Sequence, residues 1–252
     1  MPTTVHSIHP VADTVIFLRK PCRNFAPWEE ATAPTSHKTA ELEDKLTIQG
    51  CHTEAKPIEE SGREPECVSE AYHSETEEIH YLVSSHHLML SSPWFMRVLT
   101  SARFKESTKD PADNRHHITA ECWDEEAFLI LLNIFHLRVR KIPATVSLEM
   151  LAKIAVLVDY YELDGAEVME RELKSWINAV RRNDPVPDSY CRDVMLWICV
   201  ARVFAMDEEF RRATIVAAKG SQGHIPTLGL PISDRVTGRF IDECVDMFAD
   251  CH

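Results

Sequence analysis

Val83-Ser84-Ser85-His86-His87-Leu88-Met89-Leu90-Ser91-Ser92-Pro93-Trp94-Phe95 carries the strongest structural signals in this 252-residue chain. It leads out of a strand and into two short helices. Just upstream, Ile79, Tyr81 and Val83 alternate with other residues, which predicts a strand over 79–83 with those three on one face. Ser84 and Ser85 are cap candidates for a first helix containing Leu88. Ser92 then supplies an N-cap, and Pro93 takes the first helical position, where a missing N–H costs nothing and φ is already set. Phe95, Val98 and Leu99 fall on one side of that second helix.

Toward the N-terminus, Val15-Ile16-Phe17-Leu18 reads as another strand, introduced by Asp13 and broken by Pro21. If it pairs with 79–83, a long connection intervenes. From Pro21 to Glu78 there are 14 acidic and 5 basic residues, so this segment holds −9 of the net charge of −13. It is rich in Glu, Pro, Ser, Thr and Ala and keeps no sustained period. It is expected to be a disordered insertion, unable to bury enough apolar surface to offset its ordering entropy. The alternative is a short amphipathic helix carrying Leu42, Leu46 and Ile48. Lengthening a hairpin loop from about 5 to about 60 residues costs roughly 2 kcal/mol, which a folded domain tolerates.

Toward the C-terminus the chain is mainly helical. A short strand is expected around Ile118. Asp124 can cap a helix with Phe128, Leu131, Leu132 and Phe135 at i, i+3, i+4 and i+7. Pro143 separates it from a helix capped by Ser147, with Leu151, Ile154, Ala155, Val158 and Tyr161 as its buried stripe. A further helix carries Met169, Leu173, Trp176 and Val180. Pro185 and Pro187 mark the expected domain boundary. Beyond them come an apolar helix from Val194 to Phe204 and one opened by Asp207 and closed by Gly220. A last helix after Ser233 holds Val236, Phe240, Ile241, Cys244 and Phe248. The expected class is α+β.

Composition narrows the function classes. A field of −13 repels nucleic acid backbones and anionic membrane surfaces. No stretch approaches the ~20 apolar residues of a membrane span. The opening MPTTVHSIHP has no apolar signal sequence, and the eight cysteines include no CxxC, so reduced thiols in the cytoplasm or nucleus are expected. Adjacent pairs such as His86-His87 and His116-His117 point their side chains apart instead of toward one ion. Cys51, His52, Cys67 and His73 could converge only if the acidic segment folded around a metal, so no metal or other cofactor is expected. There is no G-x-S-x-G elbow and no glycine-rich phosphate loop, and Asp124-Glu125-Glu126 sit at a helix start that already favours them. Nothing selects a catalytic residue. The run Arg138-Val139-Arg140-Lys141 reads as a solvated loop, and no nucleic-acid partner is expected.

The strand entering Ser92-Pro93-Trp94-Phe95, the following Phe104-Lys105-Glu106-Ser107, Ala127 to Phe135, and Ser147 to Leu163 occur in an order that resembles the BTB/POZ family. The wording is most similar to its divergent fungal members with a C-terminal helical extension, which Thr227-Leu228-Gly229-Leu230-Pro231-Ile232 also resembles. Three departures stand out, the first being the acidic insertion, which splits the first hairpin. Ser84 replaces a histidine common in animal members, and His136-Leu137-Arg138 replaces their usual Tyr-Thr-Gly-like turn.

The resemblance implies a small β-sheet flanked by paired helices over residues 11–180, including the insertion at 21–78, followed by a helical extension over 185–252. It implies a non-enzymatic adaptor or scaffold that binds proteins. The partners implied are a second copy or another BTB protein, with no nucleic acid and no membrane. Trp94, Phe95, Met96 and Leu99 are the dimer-interface candidates, with Trp94 and Met96 expected outward because they lie off the Phe95/Val98/Leu99 stripe. Phe104 and Glu106 resemble the motif with which some family members grip the cullin scaffold of ubiquitin ligases. The bland reading of that pair is that Phe104 closes the core and Glu106 is solvated. An oligomerisation module of a transcription-linked complex and an enzyme of unrecognised type remain the alternatives.

Overall fold

The computed structural model describes residues 4–28, 78–163, 169–221 and 225–232. It opens with a strand that hydrophobic alternation does not announce, β1 (Thr4–Ser7). Next come β2 (Thr14–Arg19) and β3 (Glu78–Val83), then α1 (Ser85–Ser91) and α2 (Pro93–Thr100). One 3-10 turn, at Lys105–Ser107, leads into β4 (Lys109–Asp110) and β5 (Arg115–Glu121), and a second lies at Val139–Lys141. The remaining helices are α3 (Glu125–Phe135), α4 (Leu148–Tyr160), α5 (Glu170–Asn183), α6 (Arg192–Val203) and α7 (Asp207–Gly220). The class is α+β: a five-stranded mixed sheet with seven helices among the described residues. The contacts divide the chain into Met1–Pro27 with Pro65–His252, and Trp28–Glu64; the elements above all lie in the first unit. The expected insertion beyond residue 28 and the expected last helix after Ser233 lie outside the described residues.

The strand order is β1-β3-β2-β5-β4. β2 and β3 pair antiparallel, with Ile16 opposite Tyr81 and Leu18 opposite Ile79. β5 returns parallel to β2, setting Ile118 beside Ile16 and Ala120 beside Leu18. These six residues share one face and are all buried, as period-2 alternation requires. The helices cover that face: Tyr81 meets Phe128 of α3 edge-on at 5.2 Å, and its hydroxyl donates to the Glu125 carbonyl at 3.3 Å. β1 extends the sheet by pairing parallel to β3.

Three helix starts follow their local signals. Ser92 accepts from the Phe95 N–H, Asp124 from Ala127 and Ser147 from Met150. α1 does not. Ser84 holds the N-cap position without a side-chain cap bond, and the Ser85 N–H instead donates to the Asp13 carboxylate at 2.7 Å. A residue 72 positions away thus caps this helix and ties it to the entry of β2.

The helix ends share a different device. Leu137, Glu162 and Ala205 follow α3, α4 and α6 with φ of 54°, 51° and 51°. In each case the next residue bonds back to the carbonyl five positions earlier, as Arg138 does to Asn133 at 2.9 Å. This is the Schellman closure, in which glycine is the favoured left-handed residue and a side chain costs about 1 kcal/mol or more.

α6 is buried from Val194 to Ala201, so it is apolar around its whole circumference. It packs on α4 and α7. Arg192, at its start, donates to the carbonyls of Phe25 and Ala26 at 2.8 and 2.9 Å. α6 therefore shares one core with the elements before Pro187. Burial pushes the Cys199 thiol within this helix up to about 12.

Candidate interaction surface

The Ser92 hydroxyl is the pivot of the α2 region. It accepts from the Phe95 N–H and donates to the Tyr161 carbonyl at 2.7 Å, fastening the start of α2 to the end of α4. Phe95 stacks on Tyr161 with centroids 4.8 Å apart, and the Tyr161 hydroxyl accepts from Trp123 Nε1 at 3.1 Å. Burial holds the Tyr161 phenol far above its ordinary range, so it stays neutral. On the outer side, Arg97 makes two 2.6 Å bonds to the Glu162 carboxylate. This pair is exposed and fixes orientation more than it adds stability.

The four dimer-interface candidates separate here. Phe95 and Leu99 face inward and are buried, so they are not available to a partner. Trp94 is half-buried, with its ring against Phe95, Tyr160 and Tyr161 at 5.0, 5.8 and 5.2 Å. Being off the apolar stripe did not send it outward, because the end of α4 gives it an aromatic shelf. Only Met96 projects clearly, at 43% exposure.

Phe104 is 42% exposed and does not close the core. Its backbone is well held: its N–H donates to the Ser101 carbonyl, and its own carbonyl accepts from the Ser107 N–H and hydroxyl. Glu106 beside it is half-exposed, and its carbonyl accepts from His116 Nδ1 at 2.8 Å. Phe104 and Glu106 therefore lie two residues apart at the start of a 3-10 turn whose backbone is pinned.

No protein-family model, curated protein or solved structure matches the chain.

A groove of about 300 Å³ opens at the start of α3, lined by Pro21, Cys22, Arg23, Asp124, Glu125, Glu126 and Leu129. Asp124 caps α3 and pairs with Lys153 at 2.9 Å, and Glu125 lies 3.1 Å from His6. These carboxylates have structural partners. Among the described residues no group of three or more His, Cys, Asp or Glu is arranged to hold a metal, and no helix is long and apolar enough to cross a membrane. The Cys51, His52, Cys67 and His73 set lies outside the described residues.

A three-histidine cluster was not legible from spacing. His87 stacks on His136 at 4.8 Å, and His9 lies 5.4 and 6.1 Å from the two rings. His136 Nδ1 donates to the Leu132 carbonyl at 2.8 Å, while Nε2 accepts from the Ser84 N–H at 2.9 Å. Both nitrogens are satisfied only in the neutral ring. Burial, with a smaller contribution from the neighbouring His87, His9 and Arg138, lowers its pKa to about 4.

Proposed function

We propose that this chain is a BTB/POZ-type protein-interaction module that self-associates and serves as an adaptor, without catalysis of its own. The observation that carries the reading is the outward presentation of Met96 and Phe104 on short segments whose backbones are fixed by internal bonds. Exposed methionine and aromatic side chains on a preorganised backbone bind with little ordering cost. The element order also supports it: a β2–β3 pair, the α1–α2 hairpin, β5 parallel to β2, then α3 and α4.

Self-association is tested by sedimentation equilibrium at micromolar concentration. The wild type is expected to show a concentration-dependent dimer. Met96→Glu, with Trp94→Glu at its half-buried neighbour, is expected to weaken it at least tenfold, since the exposed Met96 position would then carry a carboxylate into a closing apolar contact. A 28.8 kDa species at every concentration removes self-association. A dimer indifferent to both changes removes this surface.

The Phe104–Glu106 pair favours a cullin scaffold as a further partner. Phe104→Ala with Glu106→Lys is expected to abolish cullin co-purification while leaving the circular dichroism spectrum and melting temperature near wild type, because neither side chain is in the core. Undiminished co-purification rules this contact out.

A further inference from the structure

Exposed apolar surface is concentrated away from α2. Of the seven large hydrophobic side chains exposed among the described residues, Val11, Leu90, Leu137 and Val139 each lie within three residues along the chain of one of the three histidines that meet. The Val11 N–H donates to His9 Nδ1 at 3.3 Å. Leu90 lies three residues beyond His87 in α1, and Leu137 directly follows His136. Leu137 combines two costs at one position: it is 73% exposed, and it holds a left-handed φ of 54°. Glycine would avoid both. The φ closes α3 as it does at the ends of α4 and α6, so it is the apolar exposure at this position that points to binding.

The same turn is basic. Arg138, Arg140 and Lys141 follow within four residues, and no acidic residue occurs from Ala127 to Leu148. The Arg138 guanidinium reaches the Ser7 carbonyl at 3.2 Å. Arg140 and Lys141 are exposed and have no ion pair among the described residues. In a chain of net charge −13, a local group of three cations beside aliphatic side chains is complementary to an acidic segment with aliphatic anchors.

We infer that the turn from Leu137 to Lys141, with Val11 and Leu90 beside it, is a docking surface for an acidic, aliphatic-bearing segment of a partner protein. This site does not depend on self-association through α2. Cations at its rim steer and orient the segment, and Leu137 and Val139 supply the apolar contact.

The test is fluorescence anisotropy on the full chain with a labelled decapeptide alternating Asp with Leu and Val, and a second peptide with each Asp replaced by Lys. Saturable binding of the acidic peptide only, weakening several-fold between about 50 mM and about 300 mM salt, is expected as the charges are screened. Arg140→Glu with Lys141→Glu is expected to lower affinity at least tenfold. Leu137→Gly removes the anchor while relieving the backbone, so it is expected to lower affinity several-fold and raise the melting temperature. The proposal is overturned by equal binding of both peptides, or by affinity unchanged in both variants. Binding that appears only after deletion of Trp28–Glu64 gives the surface to the chain's own acidic stretch. Loss of a dimer in the charge-reversed variant gives it to a second copy, and capture by phosphatidylserine vesicles but not by the acidic peptide gives it to a membrane. Each of these three results also overturns the proposal.

Discussion

Lowering the pH from 7 to 4 is expected to cost the folded chain about 3 kcal/mol through His136. In the unfolded chain this imidazole titrates near 6.5, whereas in the fold its pKa falls to about 4. Above pH 6.5 neither state is protonated and the full stability is present. Between 6.5 and about 4 the unfolded chain takes up a proton that the folded chain resists, so stability falls. A shift of this size, at ~1.4 kcal/mol per unit, gives the quoted loss. The first cause is burial of the ring, which disfavours its charged form; the Ser84 N–H acts the same way, since a proton on Nε2 would face it donor against donor, while the bond to the Leu132 carbonyl works in the other direction.

The measurement is urea unfolding at pH 7 and pH 4.5 for wild type and His136→Gln, whose amide can both donate and accept but does not titrate. The variant is expected to lose most of the pH dependence in this window. An unchanged slope would show that acid acts elsewhere. Asp13 belongs to a different window. Burial opposes its charge, but the bonds from Ser85 outweigh burial and hold its carboxyl below its ordinary value of 3.8. The stability it contributes is present above that value and is lost only at lower pH.

Phe95→Ala is expected to destabilise by about 3–5 kcal/mol, the usual range for emptying a buried aromatic site. Phe95 is fully buried and stacks on Tyr161 beneath the Ser92 pivot, so little can collapse into the space without shifting α2 off α4. Met96→Glu, one residue away, is expected to cost less than about 1 kcal/mol because that side chain stands in solvent. Urea midpoints for the two variants decide the point. Similar losses would mean that α2 is seated with a different face inward, which would take the exposed methionine out of the proposed interface. Under conditions where the Phe95→Ala protein remains folded, its association should match wild type, since the missing ring touches no partner.

Much of this architecture is written in local chemistry. Ser92-Pro93, Asp124 and Ser147 start their helices where their side chains predict, since a cap bond spans only three residues. Alternation placed Ile79, Tyr81 and Val83 on the buried face of β3, and the stripe of α4 faces inward as its spacing requires. Tertiary structure decided the rest. β1 has no alternating apolar residues because it is an edge strand, held by backbone pairing to β3. α1 is capped by Asp13 across 72 positions, which no window on the sequence can contain. Trp94 lay off the apolar stripe yet found the aromatic shelf at Tyr160 and Tyr161, whereas Phe104, apolar and adjacent to a helix, was left in solvent. Ser84 and His136, which stand at two of the departures from the resembled pattern, are bonded to each other, and His9 and His87 join them. Local and periodic signals set β2, β3 and most of the helices, whereas β1 and the cap of α1 came from contacts no local window holds. Which side chains remain on the surface, and which histidines meet, depends on contacts between distant segments, and only the folded chain settles those.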